Sequence, residues 1–287
     1  MGALMKTFDT PQPTPVTIEL AVGSVHLIAS DRADTTVTVN PTDRARRDDI
    51  EAAKKTTIEM INGGILVKGP KSRGRLNLIG PGKAGAVDVT VELPSGSDFR
   101  GDAGMGDFRA DGRLGNTHIR SGAGDVRLDH TASADVVSGA GRLSLNRADG
   151  RVRVITAGEM SLGAVGGDLE LKNNVGETWV GEVTGTARVK SAAGDISVDR
   201  AHGSITAKTA TGNIEFGEVG SGTIVLETAA GGLDIGVREG VAAWLDAKTS
   251  FGRVLNLMGE AVGPDSAEGT VEIRARTSFG DISIHRS

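Results

Sequence analysis

These 287 residues contain no cysteine and no tyrosine, and the aromatic side chains are confined to six Phe and two Trp. Without cysteine there is no disulfide framework, no thiolate metal site and no cysteine nucleophile. So few rings argue against a polysaccharide-processing β-helix enzyme, whose groove needs several stacking aromatics beside a carboxylate cluster. Long apolar runs are missing too. None reaches the ~18 residues of a membrane span, and no membrane insertion is expected. Residues 1–16 carry one Lys, three Pro and no apolar core of a secretory signal, so the expected location is cytoplasmic. Basic residues number 32 against 37 acidic ones, a net charge of -5 with a pI near 5.6. That balance argues against nucleic acid as a partner of the whole surface.

Glycine, by contrast, is abundant at 42 residues, and it is periodic. Gly106-Asp-Phe-Arg-Ala is followed by Gly124-Asp-Val-Arg-Leu, Gly141-Arg-Leu-Ser-Leu, Gly158-Glu-Met-Ser-Leu and Gly176-Glu-Thr-Trp-Val. Gly194-Asp-Ile-Ser-Val, Gly212-Asn-Ile-Glu-Phe, Gly231-Gly-Leu-Asp-Ile, Gly252-Arg-Val-Leu-Asn and Gly280-Asp-Ile-Ser-Ile continue the series. Successive spacings are 18, 17, 17, 18, 18, 18, 19, 21 and 28, and Gly23-Ser-Val-His-Leu is an isolated early copy. Two and four residues after the glycine stand apolar side chains, as in Val126 and Leu128 or Ile214 and Phe216. Seven and five residues before it stand others, as in Leu169 and Leu171 or Ile224 and Leu226. Period-two alternation in short runs means strands with one buried face, and the glycines supply tight corners.

Two strands and a corner per ~18 residues, without hairpin turn signals, describe one coil of a parallel β-solenoid. The expected fold is therefore all-β, a single-stranded parallel β-helix, right-handed by the usual rule for parallel crossovers. The expected organisation is one continuous domain. Residues 1–98 form opening coils and a cap, and residues 99–287 form the regular repeats, with an acidic insertion at 257–269. The cap contains the one helical pattern, residues 42–55, with Thr42 as N-cap and Asp43–Arg47 and Glu51–Lys55 at i,i+4 spacing. It also contains a Gly/Pro-rich basic loop, residues 68–86, and strands near 36–40, 56–60, 65–68 and 87–93.

The repeated corner, written Ser191-Ala-Ala-Gly-Asp-Ile-Ser-Val and Thr277-Ser-Phe-Gly-Asp-Ile-Ser-Ile, resembles a bacterial β-strand-repeat domain of unknown function labelled "putative adhesin". The resemblance runs from Phe8-Asp-Thr-Pro and Thr17-Ile-Glu-Leu-Ala-Val-Gly to Ala275-Arg-Thr-Ser-Phe-Gly-Asp-Ile. Trp179-Val-Gly-Glu-Val-Thr-Gly and Val241-Ala-Ala-Trp-Leu-Asp look like actinobacterial forms. It implies a right-handed β-solenoid and brings no catalytic residues.

Reaction chemistry has few footholds. His26, His118, His130, His202 and His285 show no metal-ligand spacing, and there is no HExxH, GxSxG or complete phosphate-binding loop. No cofactor, metal or catalytic residue is expected. An acidic column follows the repeat glycines at Asp107, Asp125, Glu159, Glu177, Asp195 and Asp281. Its spacing does not match the calcium-binding β-roll signature. A basic column four residues before the glycine holds Arg120, Lys172, Lys190, Lys208, Lys248 and Arg276, and across the corner the two columns are expected to offset each other. Use of the lysines to track a polyanion is the weaker reading.

The candidate contact surface is the basic loop, Lys68, Lys71, Arg73, Arg75 and Lys83, together with Lys172, Lys190, Lys208 and the outward-facing Trp179. The last strand runs to Ser287 with nothing after it to cover a solenoid edge, so either the acidic insertion 257–269 folds over that end or another subunit does, and the end is expected to self-associate or bind a protein. The favoured function is a non-catalytic scaffold or protein-binding module. An end-to-end self-assembling structural protein is the alternative.

Overall fold

Alternation dictates the local structure: in Leu169-Glu-Leu-Lys, Leu169 and Leu171 are buried while Glu170 and Lys172 face outward. The computed structural model describes residues 4–70, 85–259 and 269–287. The chain divides into two compact units, Met1–Leu143 and Ser144–Ser287.

The first unit holds β1 (Leu4–Asp9), β2 (Val16–Ser30), β3 (Asp34–Pro41), α1 (Arg47–Lys55), β4 (Thr57–Ile61), β5 (Gly64–Lys68), β6 (Val87–Pro94), β7 (Phe99–Ser121) and β8 (Val126–Ser138). The long strand β2 is its organiser. It pairs in parallel with β7 along most of its length, with β5 through Val16–Glu19 and with β6 through Gly23–Ser30. Beyond those layers the direction reverses: β3 runs antiparallel to β6, β1 to β3 and β4 to β5. Lys6 of β1 donates to the Ile58 carbonyl of β4 at 2.7 Å, tying the two outermost strands together.

The expected helix is shorter than residues 42–55. Pro41 belongs to β3, the Thr42 hydroxyl donates to Asp88 at 2.8 Å and its N–H to the Ala86 carbonyl, so Thr42 cannot cap a helix. Helix α1 starts at Arg47 after Arg46, with no side-chain cap. Glu51–Lys55 forms at 2.9 Å, while Asp43 turns its carboxylate to the Ala45 N–H. Asp49 is buried and accepts from the N–H groups of Ala86 (3.0 Å) and Asp43 (3.1 Å), pinning the helix to β6 and β3. The Asn62-Gly63 pair, both at positive φ (52° and 78°), closes a two-residue hairpin between β4 and β5. This Asn-Gly turn corrects the expectation of a chain without hairpin turn signals.

The second unit continues through β9 (Leu143–Ala148), β10 (Val152–Thr156), β11 (Met160–Val165), β12 (Leu169–Val175), β13 (Thr178–Val183), β14 (Ala187–Ala193) and β15 (Ile196–Ala201). Then come β16 (Ile205–Thr211), β17 (Ile214–Val219), β18 (Gly222–Ala230), β19 (Leu233–Val237), β20 (Val241–Phe251), β21 (Val254–Asn256), β22 (Gly269–Phe279) and β23 (Ile282–Arg286). Among the described residues every pairing within it from β10 onward is parallel, and as far as β19 each strand lies beside the next but one. Partners are about one repeat apart: Leu169 faces Ala187, and Ile196 faces Ile214. The even-numbered strands form one stack and the odd-numbered strands the other. Inward residues of both, such as Leu171, Val189, Phe216 and Ile235, are buried between them. Burial of each such side chain stabilises by ~1.5–3 kcal/mol.

The last layers do not stack in chain order. β22 lies between β18 and β20, and β23 between β19 and β21. Arg286 locks that insertion by donating to the carbonyls of Arg238 (3.0 Å) and Val241 (2.9 Å). The strand leading to Ser287 is therefore an interior layer. The terminal layer is β20 and β21, which corrects the expectation that the chain's final strand forms the exposed end.

Candidate contact surface

The lysine column is real as a register feature. Lys172, Lys190 and Lys208 sit on successive rungs of β12, β14 and β16, followed by Glu227, Arg276 and Lys248. Like charges one strand apart repel unless carboxylates intervene. The carboxylates that intervene come from the same stack and not from the acidic column across the corner, contrary to the sequence expectation. Lys172 meets Glu170 at 3.1 Å, Lys208 meets Glu227 at 2.5 Å and Lys248 meets Asp246 at 3.9 Å. The Lys172 hydrogen bond, with the charges of Lys172, Arg153 and Arg151, holds the Glu170 carboxyl below the usual range. Lys190, with no ion pair among the described residues, stands between two lysines that are already neutralised.

The acidic column does different work. Asp107 accepts the Asp125 backbone N–H at 2.8 Å, and Asp125 accepts that of Arg142 at 2.9 Å. In the second unit Asp195 accepts from Asn213 (2.7 Å), Asn213 from Gly232 (2.8 Å) and Asp281 from Arg253 (2.8 Å). Each side chain thus caps the same position one layer on, at a corner where the strand ladder lapses. The Arg253 N–H in turn pulls the Asp281 carboxyl below its ordinary value. Asp168 does the same for Thr186 one corner away, through both N–H and hydroxyl.

A third column went unread. Three residues before the repeat glycines stand buried hydroxyls and one amide: Ser121, Asn173, Thr209, Thr228 and Thr277. Thr228 donates to the Gly212 carbonyl at 3.0 Å, Thr277 to Gly231 at 2.9 Å and Asn173 to Gly158 at 2.9 Å. The signal was present in the Thr277-Ser-Phe-Gly-Asp corner, whose first residue satisfies the carbonyl of the preceding layer's glycine, whereas the Ser191 hydroxyl at the same place in Ser191-Ala-Ala-Gly-Asp is buried without a hydrogen-bond partner among the described residues.

The remaining predicted residues are scattered. Trp179 faces outward on β13 between Ser161 and Ser197, 40% exposed, with its indole N–H donating to Asp199 at 3.0 Å. Lys68 ends β5 and pairs with Glu19 at 2.9 Å. Lys71, Arg73, Arg75 and Lys83 lie outside the described residues. Four histidines meet carboxylates: His26 with Asp111 and His202 with Glu182, both at 2.7 Å, His285 with Asp234 at 3.2 Å and His118 with Asp135 at 3.5 Å.

Exposed apolar side chains gather instead at the terminal layer of the second unit. Val271, Ile273 and Ala275 of β22 are buried, but their rung partners Ala243, Leu245 and Ala247 on β20 are partly open. Trp244 is 60% exposed, Phe251 67% and Phe279 59%, and the two phenyl rings stack with centroids 5.0 Å apart and planes 6° from parallel. Val254, Leu255 and Leu257 are exposed beside them.

The profile of the family described as Toastrack DUF4097 matches residues 15–285. The chain belongs to the Toastrack family. No curated protein matches it. Among solved structures, this Toastrack chain is similar to a "putative adhesin" from Parabacteroides merdae ATCC 43184, at 10% identity over 81% of this chain and 95% of that one, TM-score 0.41. It is similar to a "putative lipid binding protein" from Parabacteroides distasonis ATCC 8503, at 12% identity over 99% and 96%, TM-score 0.30. A "putative cell adhesion protein" from Clostridium sporogenes ATCC 15579 matches at 12% identity over 100% of both chains, TM-score 0.22. Scores this low carry no functional inference.

Proposed function

We propose that this Toastrack chain is a non-catalytic protein-binding module of the cytoplasm, whose contact surface is the terminal layer of the second unit. One observation carries the reading. The inward positions that every interior layer buries are left partly open on β20, and large apolar side chains, Trp244 and Phe251, stand exposed next to them. Clustered exposed aromatics of this kind mark contact sites, whereas single ones do not. The charged columns support the reading by default, since their lysines and aspartates are largely spent on partners within the chain. The registers also support a coil of about 18 residues as the repeating unit of the second unit, and the usual rule for parallel crossovers supports a right-handed one.

The test is photo-cross-linking in cells, with a benzophenone amino acid at Phe251 and, as control, at Lys55 on the exposed side of α1. Protein adducts formed from position 251 and absent from position 55 are expected. Equal adducts at both, or none at 251, would defeat the proposal.

A further inference from the structure

We propose that the terminal layer is completed by a second copy of this chain, β20 pairing antiparallel with its symmetry mate about a two-fold axis through Ala247. The proposal rests on the binding-module reading and specifies its partner. Among the described residues β20 pairs as a strand with β22 alone and β21 with β23 alone, so both stacks end in an unpaired strand edge. An occupant must offer two strand edges at the same separation and apolar inward residues at every second position. The same surface of another copy meets both requirements by symmetry, which is how isologous dimers form.

The residues of β20 then select the register. Opposed residues of an antiparallel pair share a face, so the axis must pass through a residue and not between two. An axis at Asp246 would oppose two carboxylates, and one at Lys248 two ammonium groups. An axis at Ala247 sets each Asp246 opposite the partner's Lys248, two reciprocal ion pairs formed beside the bonds that Asp246 already makes to Arg276 and Lys248 of its own chain. Side-chain sizes agree with that choice. Trp244 falls opposite Ser250, Leu245 opposite Thr249 and Phe251 opposite Ala243, large against small on each rung, with the smallest pair, Ala247 on itself, at the axis.

Sedimentation velocity of the full chain over a hundredfold concentration range tests this, with circular dichroism melts confirming that each variant folds. A concentration-dependent dimer is expected. K248E, which opposes acid to acid, should weaken it roughly tenfold or more. The charge swap D246K/K248D should restore it. Since the chain lacks cysteine, A247C gives a second readout: it should cross-link to dimer under mild oxidation, while S197C on an interior layer should not. A chain that is monomeric throughout overturns the proposal, as does a dimer indifferent to K248E and uncross-linked by A247C. Association that appears only when residues 260–268 are replaced by a short Gly-Ser linker would overturn it too, naming that segment as the occupant. If dimerisation fails while Phe251 still cross-links to another protein, the binding module stands and only its partner changes.

Discussion

The two units close their ends in opposite ways. In the first, the parallel layers give way to antiparallel β6–β3–β1 and to the β5–β4 hairpin, with α1 fastened over them by a buried carboxylate. The outermost strands carry charges, Lys6 and Glu59, that discourage further pairing. In the second, parallel stacking persists to the final layer, which keeps the inward pattern of the interior without its cover. A solenoid edge is thus a liability that one region disarms by reversing strand direction and the other leaves available. What distinguishes the two ends is strand polarity, since both use similar alternating residues and both carry charged side chains, Lys6 and Glu59 on one and Asp246 and Lys248 on the other.

The largest effect should come from removing the inserted layer. A chain ending at Asn256 loses Val271, Ile273, Ile282 and Ile284 from between their neighbours, a loss on the order of 5–10 kcal/mol, comparable to the whole stability of an ordinary domain. Urea unfolding followed by circular dichroism should show the second unit's transition abolished. Deletion of residues 1–9, which removes β1 from the edge of the first unit, should leave a cooperative transition. Equal damage from the two deletions would break the comparison.

A smaller effect separates the corner types. Gly194 sits at φ +130°, and a Cβ there would lie 2.2 Å from the Gly176 carbonyl oxygen. Gly194→Ala should therefore cost about 3 kcal/mol or more. Gly63, in the hairpin at φ +78°, has open space around it, so Gly63→Ala should cost only ~1 kcal/mol, all of it backbone strain. Denaturation midpoints of the two variants measure the difference.

The smallest effect is on pH dependence. The Thr186 hydroxyl and N–H hold Asp168 below the ordinary carboxylate value, and the Arg253 N–H does so for Asp281. In the first unit Arg109, then His26, does the same for Asp111. Depressed carboxylates stabilise fully above their unfolded pKa, about 4, and lose that contribution as pH falls through the lower folded value. Both units should weaken in acid, and Asp281→Asn should shallow the acid limb of a Tm profile. His285 shifts the other way, raised by its bond to the Arg286 carbonyl and by Asp234. Its contribution is complete below the ordinary histidine value, about 6.5, and is lost as pH rises through the raised one. His285→Gln should remove that neutral-range decline, which belongs to the second unit.

Much of this was written in local alternation. Inward Ile214 and Phe216, outward Trp179 and the glycine corners all follow from period two and period eighteen. The order of the last layers does not, because nothing local says which strand neighbours which. Its trace was the spacing of 21 and then 28 after Gly231, extra chain with which to pass over a layer and return. The partners of the lysines were equally hidden: Lys208 meets Glu227 through register, nineteen positions away in sequence. The helix boundary failed for a different reason, since Thr42 was claimed by Asp88 on a neighbouring strand.

The inserted layer also orders the chain's manufacture. Residues 241–256 leave the ribosome before residues 269–286, yet they can reach their final neighbours only after the later segment has slipped in ahead of them. Until then β20 has not met the strand on which it finally rests. Synthesis therefore delivers an unfinished stack at every point short of residue 286, and a product cut off early carries its unburied core openly, where quality-control proteases can find it.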